Sequence, residues 1–165
     1  MAFIDVLLPE FDHEMGTTRR LLERVPADRL AWKPHARSMS LGQLAGHLAG
    51  LPGWVASIVN EPSYDIKGDA RPVPDGGSPS EILAAFDRNV AAARGAIAGR
   101  TDAEFMAPWT LKRNGQDLFT MPRLSVVRSF LLNHSIHHRG QISVYLRLND
   151  VPLPPIYGPT ADERG

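Results

Sequence analysis

The segment from Pro122 to Leu148 carries the longest amphipathic helical pattern in this 165-residue chain. Its apolar side chains recur at the three- and four-residue spacings that place them on one face of a helix. This apolar stripe consists of Leu124, Val127, Leu131, Ile142 and Tyr145. The pattern predicts a long helix over 122–148 whose apolar face packs in the core of the protein.

Three further segments show the same periodicity, and each is bounded by residues that start or stop helices. They cover residues 3–25, 40–59 and 79–99. Pro9 predicts a kink or a late start in the first, because proline removes one helical hydrogen bond and crowds the preceding turn. Pro52 should bend the second helix just after His47. The sequence therefore predicts an all-α protein.

Two long connections and a tail lie outside the predicted helices. Residues 60–77 are rich in Pro, Gly and Asp, among them Arg71-Pro72 and Pro74-Asp75-Gly76-Gly77, and residues 101–121 contain Trp109 and an Asn-Gly turn. Loops longer than about 12 to 15 residues are often functional, so the second connection is a candidate cover for a site. The tail, 151–165, contains four prolines and is predicted to pack as an extended strap or to dock on a partner.

Composition limits the classes of function. With 43% hydrophobic residues, the chain is long enough for a single domain, 1–165, with its own core. Eighteen basic and eighteen acidic residues cancel, which argues against a nucleic-acid partner and favours a small-molecule substrate. The absence of cysteine excludes disulfides and thiolate ligands. No leader or membrane-spanning run is visible, so we expect a soluble cytoplasmic protein without a membrane partner.

The histidines of the last predicted helix are spaced like metal ligands. His134 and His138 are four residues apart, so their imidazoles lie one above the other on one helix face, near the centre of the apolar stripe. His47 lies on the apolar stripe of the second predicted helix and could supply a third nitrogen. Each buried imidazole needs a polar partner, and one divalent cation would satisfy all of them. The spacing predicts a three-histidine site with an open coordination position.

Three other residues near these histidines each have more than one interpretation. His137 could replace His138 as a ligand, assist as a neighbouring polar group, or be a partly exposed surface residue. Gln141 could hold a ligand ring or simply join two helices by a hydrogen bond. Trp54 follows His47 by seven residues, two helical turns, and we expect it to pack in the core rather than form a pocket wall.

The remaining charged residues of interest are predicted to lie at the surface. Arg139 projects away from the apolar stripe and is read first as a surface or helix-end ion pair, and second as an anchor for a substrate anion. Glu10, Asp12, His13 and Glu14 form a polar patch on the first helix that we interpret as solvated. A role for His13 as a fourth ligand has little support.

Several motifs resemble those of the DinB-like, or DinB/YfiT, superfamily. The last helix of that family carries a His-x-x-x-His-Arg-Gly-Gln type motif, matched here by HSIHHRGQ at 134–141, and its second helix carries a single histidine, matched by LAGHL at 44–48. The segments WKP at 32–34, SMSLGQL at 38–44 and YGPTADE at 157–163 are also similar to family members. The likeness thus extends over nearly the whole chain.

The resemblance implies a four-helix bundle with long crossover connections, a three-histidine zinc or nickel site at one end, and a homodimer. Family activities include thiol-cofactor transferases that use bacillithiol or mycothiol, and a thiol-dependent maleylpyruvate isomerase. A cation with open positions could activate a low-molecular-weight thiol or a water molecule by lowering its pKa. A metal-dependent thiol transferase is therefore our leading hypothesis, and a metal-dependent hydrolase or a non-catalytic metal or small-ligand binder is the alternative.

Overall fold

The computed structural model describes residues 2–68 and 77–164. Four long helical segments dominate it, and they fall where the periodicity predicts them. The first is helix α1, Phe3–Leu22, which ends three residues before the predicted boundary at residue 25. Pro9 lies inside α1, so the late start considered from the sequence is wrong. The Ala2 amide donates to the Asp5 carboxylate, which compensates one unpaired group at the helix start.

The second helical segment contains the irregularity that Pro52 predicts. Helix α2, Leu41–Gly50, passes into a 3₁₀ turn at Leu51–Trp54 and then into α3, Val55–Asn60. Its start is fixed by a reciprocal cap, in which Ser40 Oγ accepts from the Gln43 amide and Gln43 Oε1 accepts from the Ser40 amide. This cap fixes where α2 begins and therefore which face carries His47.

The connections are more ordered than the sequence predicts. The first contains strand β1, Ser63–Ile66, and leads to helix α4, Pro79–Ile97, which Ser78 caps. The second contains helix α5, Asp102–Met106, and strands β2, Pro108–Arg113, and β3, Gln116–Pro122. The predicted turns over residues 71–76 lie outside the described residues.

These strands form a small sheet, so the all-α prediction needs correction. The strand order is β1-β2-β3, with β1 parallel to β2 and β2 antiparallel to β3. Asn114 and Gly115 join β2 to β3 with positive φ angles of 49° and 83°, the backbone that a tight two-residue hairpin needs. The described part of the protein is thus mostly helical with one three-stranded sheet.

The last helical segment covers the predicted range but is not uniformly α-helical. Helix α6, Arg123–Val126, continues through a π-helical stretch, Val127–Asn133, into helix α7, His134–Leu148. A π-helical turn is wider than an α-turn and changes the direction in which later side chains point. Here the wide stretch ends directly before the first histidine of the motif.

The core lies among α1, α2, α4 and α7. Helix α4 contacts both α1 and α2, and α7 contacts the same two helices. Phe11, Leu44, Phe86 and Ile142 are almost completely buried there, and each such side chain stabilises the fold by about 1.5–3 kcal/mol. The tail packs along this core through Val151, Leu153 and Ile156, in agreement with the predicted strap. Within the described ranges, none of the helices has the length and apolar character needed to cross a membrane.

Candidate metal centre

Three histidine side chains from two helices converge on one point. On α7, His134 and His138 occupy successive turns and their Nε2 atoms are 2.8 Å apart. From α2, His47 places its Nε2 atom 3.4 Å from that of His134. One nitrogen from each residue lies within 4.8 Å of the other two. The structure therefore brings together the three residues that the sequence singles out.

The packing of α2 against α7 produces this convergence. The rings of His134 and His138 are tilted against each other with centroids 4.6 Å apart. His47 meets the His138 ring edge-on, at a centroid distance of 4.6 Å and an interplanar angle of 87°. His138 is the most buried of the three, with 6% of its surface exposed. The site thus lies between the helices.

A hydrogen bond fixes the proton of one candidate ligand. His138 Nδ1 lies 2.7 Å from Gln141 Oε1, which can only accept, so Nδ1 carries the hydrogen and donates it. In the neutral ring the lone pair is then on Nε2, the atom that faces the other histidines. This is the arrangement in which a polar neighbour orients a metal-binding imidazole. The role considered for Gln141 as a holder of a ligand ring matches this geometry.

Burial favours the neutral form of these rings. Burial is the largest cause that lowers the pKa of His138 to about 4; the neighbouring histidines contribute to this lowering, and the hydrogen bond to Gln141 partly opposes it. Burial also lowers the pKa of His47, with His134 adding to the effect. The pKa of His134 is lowered by burial and by His137. At neutral pH all three rings are therefore in the deprotonated form that binds metal ions.

The donor set fits a divalent transition metal. Nitrogens that share one zinc ion at about 2.0–2.1 Å in tetrahedral geometry are roughly 3.4 Å apart. The separation between His47 and His134 has this value, 3.4 Å, and that between His134 and His138 is shorter, at 2.8 Å. A small rotation of one ring would even out the two distances. Three imidazoles suit zinc and nickel, and they leave a coordination position open.

An apolar pocket opens beside the histidines. We use this name for the cavity of about 180 Å³ that His47 and His134 share with side chains from the 3₁₀ turn, the sheet and the π-helical stretch. Trp54 lies in its wall and is 36% exposed, so the expectation that it packs in the core is wrong. Trp109 and Leu111 also line the pocket, and they belong to the connection 101–121 that the sequence predicts as a candidate cover. The sequence reasoning missed the remaining walls, Leu51, Ile58, Ile66 and Phe130.

His137 lies outside the cluster of three nitrogens. Its side chain is exposed, and its ring is edge-on to that of His138 with centroids 4.9 Å apart. It does not belong to the group of residues whose ligand atoms lie close enough to share one ion. This geometry favours the reading of His137 as a surface residue next to the site.

Arg139 is buried, which contradicts the surface position predicted for it. Its side chain is 1% exposed and its Nη2 atom lies 2.6 Å from the Glu14 carboxylate, which is 9% exposed. Its Nη1 atom donates to the Glu14 carbonyl and to Thr18 Oγ1. The Tyr157 hydroxyl lies 2.6 Å from Nη2 and donates to Glu14. Helix α1 and the tail cover this face of α7, and periodicity within α7 alone cannot reveal that cover.

The polar patch predicted on α1 is therefore only partly solvated. Glu14 belongs to the buried network, whereas Asp12 forms an exposed ion pair with Arg94. Glu10 pairs with Arg128 across to the last helical segment. His13 is exposed and is not a member of the histidine cluster.

The chain is a mostly helical protein in which three histidines converge between two helices. The sequence model of the DinB superfamily matches residues 10–142, which include all three histidines. The chain belongs to the DinB superfamily. The sequence resemblance to that family is thus confirmed.

Relatives of known sequence or structure agree with this assignment. The protein YrdA of Bacillus subtilis strain 168, described as uncharacterized, is 26% identical over 160 residues, which are 97% of this chain and 91% of YrdA. A DinB-like protein from Bacillus cereus ATCC 10987 has a similar crystal structure, with a TM-score of 0.71, 22% identity, and coverage of 94% of this chain and 98% of that one. The DinB-like protein YjoA of Bacillus subtilis gives a TM-score of 0.68 at 18% identity, covering 91% and 96%.

Proposed function

We propose that this protein binds one divalent transition metal, zinc or nickel, through His47, His134 and His138. The observation that carries the proposal is the convergence of three neutral imidazole nitrogens within 4.8 Å at the end of an apolar pocket. Without an ion, two half-buried rings and the buried ring of His138 would have to satisfy their nitrogens mainly with one another, which is unfavourable for polar groups removed from water. A cation shared by the three rings would give each of these nitrogens a favourable partner.

We further propose that the protein transfers a low-molecular-weight thiol to an electrophilic small molecule. A bound divalent ion supplies Lewis acidity, which lowers the pKa of an incoming thiol. The thiol gives its proton to the solvent, its sulfur forms a bond to the electrophilic carbon, and the leaving group departs with the electron pair of its former bond. The chain itself contributes the orientation of His138 through Gln141 and a pocket that holds the second reactant and excludes water.

A non-catalytic binder is the competing function, and one observation favours it. Among the described residues, the group able to share an ion contains three histidines and no carboxylate. Metal-dependent hydrolases commonly use a carboxylate as the general base that takes a proton from water. Its absence from this group therefore favours a non-catalytic binder over a hydrolase, and it counts less against thiol transfer, because a thiol ionises much more easily than water.

The metal site is tested first by elemental mass spectrometry on protein purified without a metal-affinity tag. We expect about one zinc or nickel per chain, lost in His47→Ala, His134→Ala and His138→Ala. His13→Ala is the matched control, because His13 is an exposed histidine outside the cluster. His137→Ala should also keep its metal. Full metal content in the three cluster variants would overturn the site.

The reaction is tested with the metal-loaded protein and a panel of electrophiles, with and without a thiol such as bacillithiol or mycothiol. Thiol transfer predicts product only when both reactants are present, and no product with the His134→Ala variant. Turnover without thiol would instead support a hydrolase. No turnover under either condition would favour the non-catalytic binder.

Two structural proposals accompany the function. We propose that the four long helical segments form the four-helix bundle that the family resemblance implies, which the contacts of α1, α2, α4 and α7 support.

We also propose a homodimer. The exposed Val144 and Leu148, one turn apart on α7, are apolar surface available for association. A monomer mass in light scattering at micromolar concentration would contradict the dimer.

A further inference from the structure

The apolar pocket has the size of one aromatic ring with a small substituent. Its volume is about 180 Å³. An apolar cavity of about 150 Å³ in a protein accommodates one benzene molecule. The pocket is therefore too small for a sugar-containing thiol, and on the same scale it encloses about seven non-hydrogen atoms.

The residues that line the pocket disfavour the binding of a charged ligand. The described residues that line the pocket are aliphatic or aromatic, apart from His47 and His134 at one end. Trp109, Leu111 and Ile58 are almost completely buried, so a charged ligand among them would lose its water without gaining a partner.

One wall of the pocket is partly exposed. Trp54, which lines the pocket, meets Tyr64 edge-to-face with ring centroids 4.7 Å apart. The two residues are 36% and 40% exposed, so part of each ring is in contact with water. A planar apolar molecule entering the pocket would cover part of the Trp54 ring and remove that surface from water.

We infer that the apolar pocket binds the electrophilic reactant, an uncharged molecule with one aromatic or similarly sized apolar ring. Its reactive group would face His47 and His134, while its ring would lie among the aliphatic and aromatic walls. Only the role of the bound molecule as a reactant rests on the proposed function, because the pocket opens onto the proposed metal site. The binding preference itself depends only on the shape and polarity of the pocket.

Binding is tested on metal-free protein in the presence of a chelator, with the isosteric probes benzamide and benzoate. Nuclear magnetic resonance titration should show saturable benzamide binding, with shifts concentrated at Trp54, Phe130 and Leu111. Benzoate, which has the same shape and a negative charge, should bind at least tenfold more weakly. Equal binding of the two probes, or no saturable binding of benzamide, would overturn the inference.

A pair of tryptophan variants locates the binding site. Trp54→Ala removes a partly exposed wall and should weaken benzamide binding about tenfold, the effect of losing roughly 1.4 kcal/mol of aromatic contact. Trp32→Ala is the control, because Trp32 packs against Tyr145 outside the pocket and its loss should leave binding unchanged. Equal effects of the two variants, with folding verified by circular dichroism, would contradict the site.

This design separates the inference from the proposed function. If the purified protein contains no metal but benzamide binds and benzoate does not, the metal proposal fails and the pocket preference stands. If metal is present at one per chain but neither probe binds, the pocket inference fails and the metal site stands.

Discussion

Gln141 Oε1 accepts a hydrogen bond from His138 Nδ1 at 2.7 Å, and this contact determines which nitrogen of His138 is free to bind a metal. The two residues are three apart on α7, so one regular helical turn provides both the ligand and the group that orients it. Without this acceptor the hydrogen could move to Nε2, and the ring could rotate away from His47 and His134.

Gln141→Leu is therefore expected to weaken metal binding by about 10- to 100-fold without removing a ligand. Gln141→Glu keeps an acceptor at the same place and should bind the metal at least as tightly as the natural protein. Competition titration with a chromophoric chelator measures both affinities. Equal affinities for the Leu variant and the natural protein would mean that the hydrogen bond does not orient the ligand.

Replacement by alanine should affect stability differently at Gly16 in α1 and at Gly42 in α2. A Cβ at Gly16 in α1 would meet no atom within 4 Å, so Gly16→Ala should stabilise the protein by about 0.5–1 kcal/mol through the lower flexibility of the unfolded chain. A Cβ at Gly42 would lie 3.1 Å from the Leu30 carbonyl oxygen and 3.2 Å from its Cβ. Gly42→Ala should therefore lose this gain or destabilise the protein. Urea denaturation compares the two, and a larger gain at Gly42 would contradict the packing argument.

Glu104 provides a pH-dependent contribution to stability. Its carboxylate accepts from the Thr101 amide at 2.8 Å and the Thr101 hydroxyl at 2.9 Å, and it pairs with Arg100; these contacts lower its pKa from 4.5 to about 2. Because the folded-state pKa is below the unfolded one, the contribution is complete above about pH 4.5 and is lost as the pH falls towards 2. Carboxyl-detected nuclear magnetic resonance should find Glu104 titrating well below the ordinary glutamates. Titration near 4.5 would contradict the cap.

Local signals in the sequence were sufficient for the helices. The Ser40 and Gln43 side chains form a reciprocal cap at the start of α2, and Ser78 and Glu81 do the same at the start of α4. Pro52 produces the predicted irregularity. These features depend on residues three or four apart, so no tertiary information is needed to recognise them.

The sheet and the pocket depend on contacts that are remote in sequence. Tyr64 on β1 is paired in register with Leu111 on β2, and the segments between them give no sign of this pairing. The Asn114-Gly115 turn is a local signal for a hairpin, but the sequence prediction places it in a long loop. The direction of Phe130 into the pocket depends on the π-helical stretch, which no simple periodicity predicts.

The same distinction between local signals and remote contacts applies to the candidate site. His134 and His138 were recognisable because four residues form about one helical turn, and His47 because it interrupts an apolar stripe. Arg139 was misplaced because its burial is caused by α1 and the tail, which are 125 and 18 residues away in sequence at the contacting positions Glu14 and Tyr157. A charged residue can be buried wherever a distant partner satisfies it.

The buried ion pair between Arg139 and Glu14 leads to the largest stability effect that we expect. Arg139→Met leaves the Glu14 carboxylate buried without its cation, and removing one partner of such a pair typically destabilises a protein by about 3–5 kcal/mol. The exposed pair between Arg94 and Asp12 is a matched control, because it also joins an arginine to an acidic residue of α1. Arg94→Met should change the free energy of unfolding by no more than about 1 kcal/mol.

Urea denaturation of the metal-free variants measures both effects, and the double variant Arg139→Met/Glu14→Leu identifies their origin. If the penalty comes from an unpaired buried charge, removing Glu14 as well should recover much of the loss, because apolar side chains can replace a buried ion pair at little cost. Tyr157 should then remain packed against α7, and the tail should stay resistant to proteolysis. If the double variant is less stable than Arg139→Met alone, the pair acts through shape and hydrogen bonding to Thr18 and Tyr157 rather than through charge.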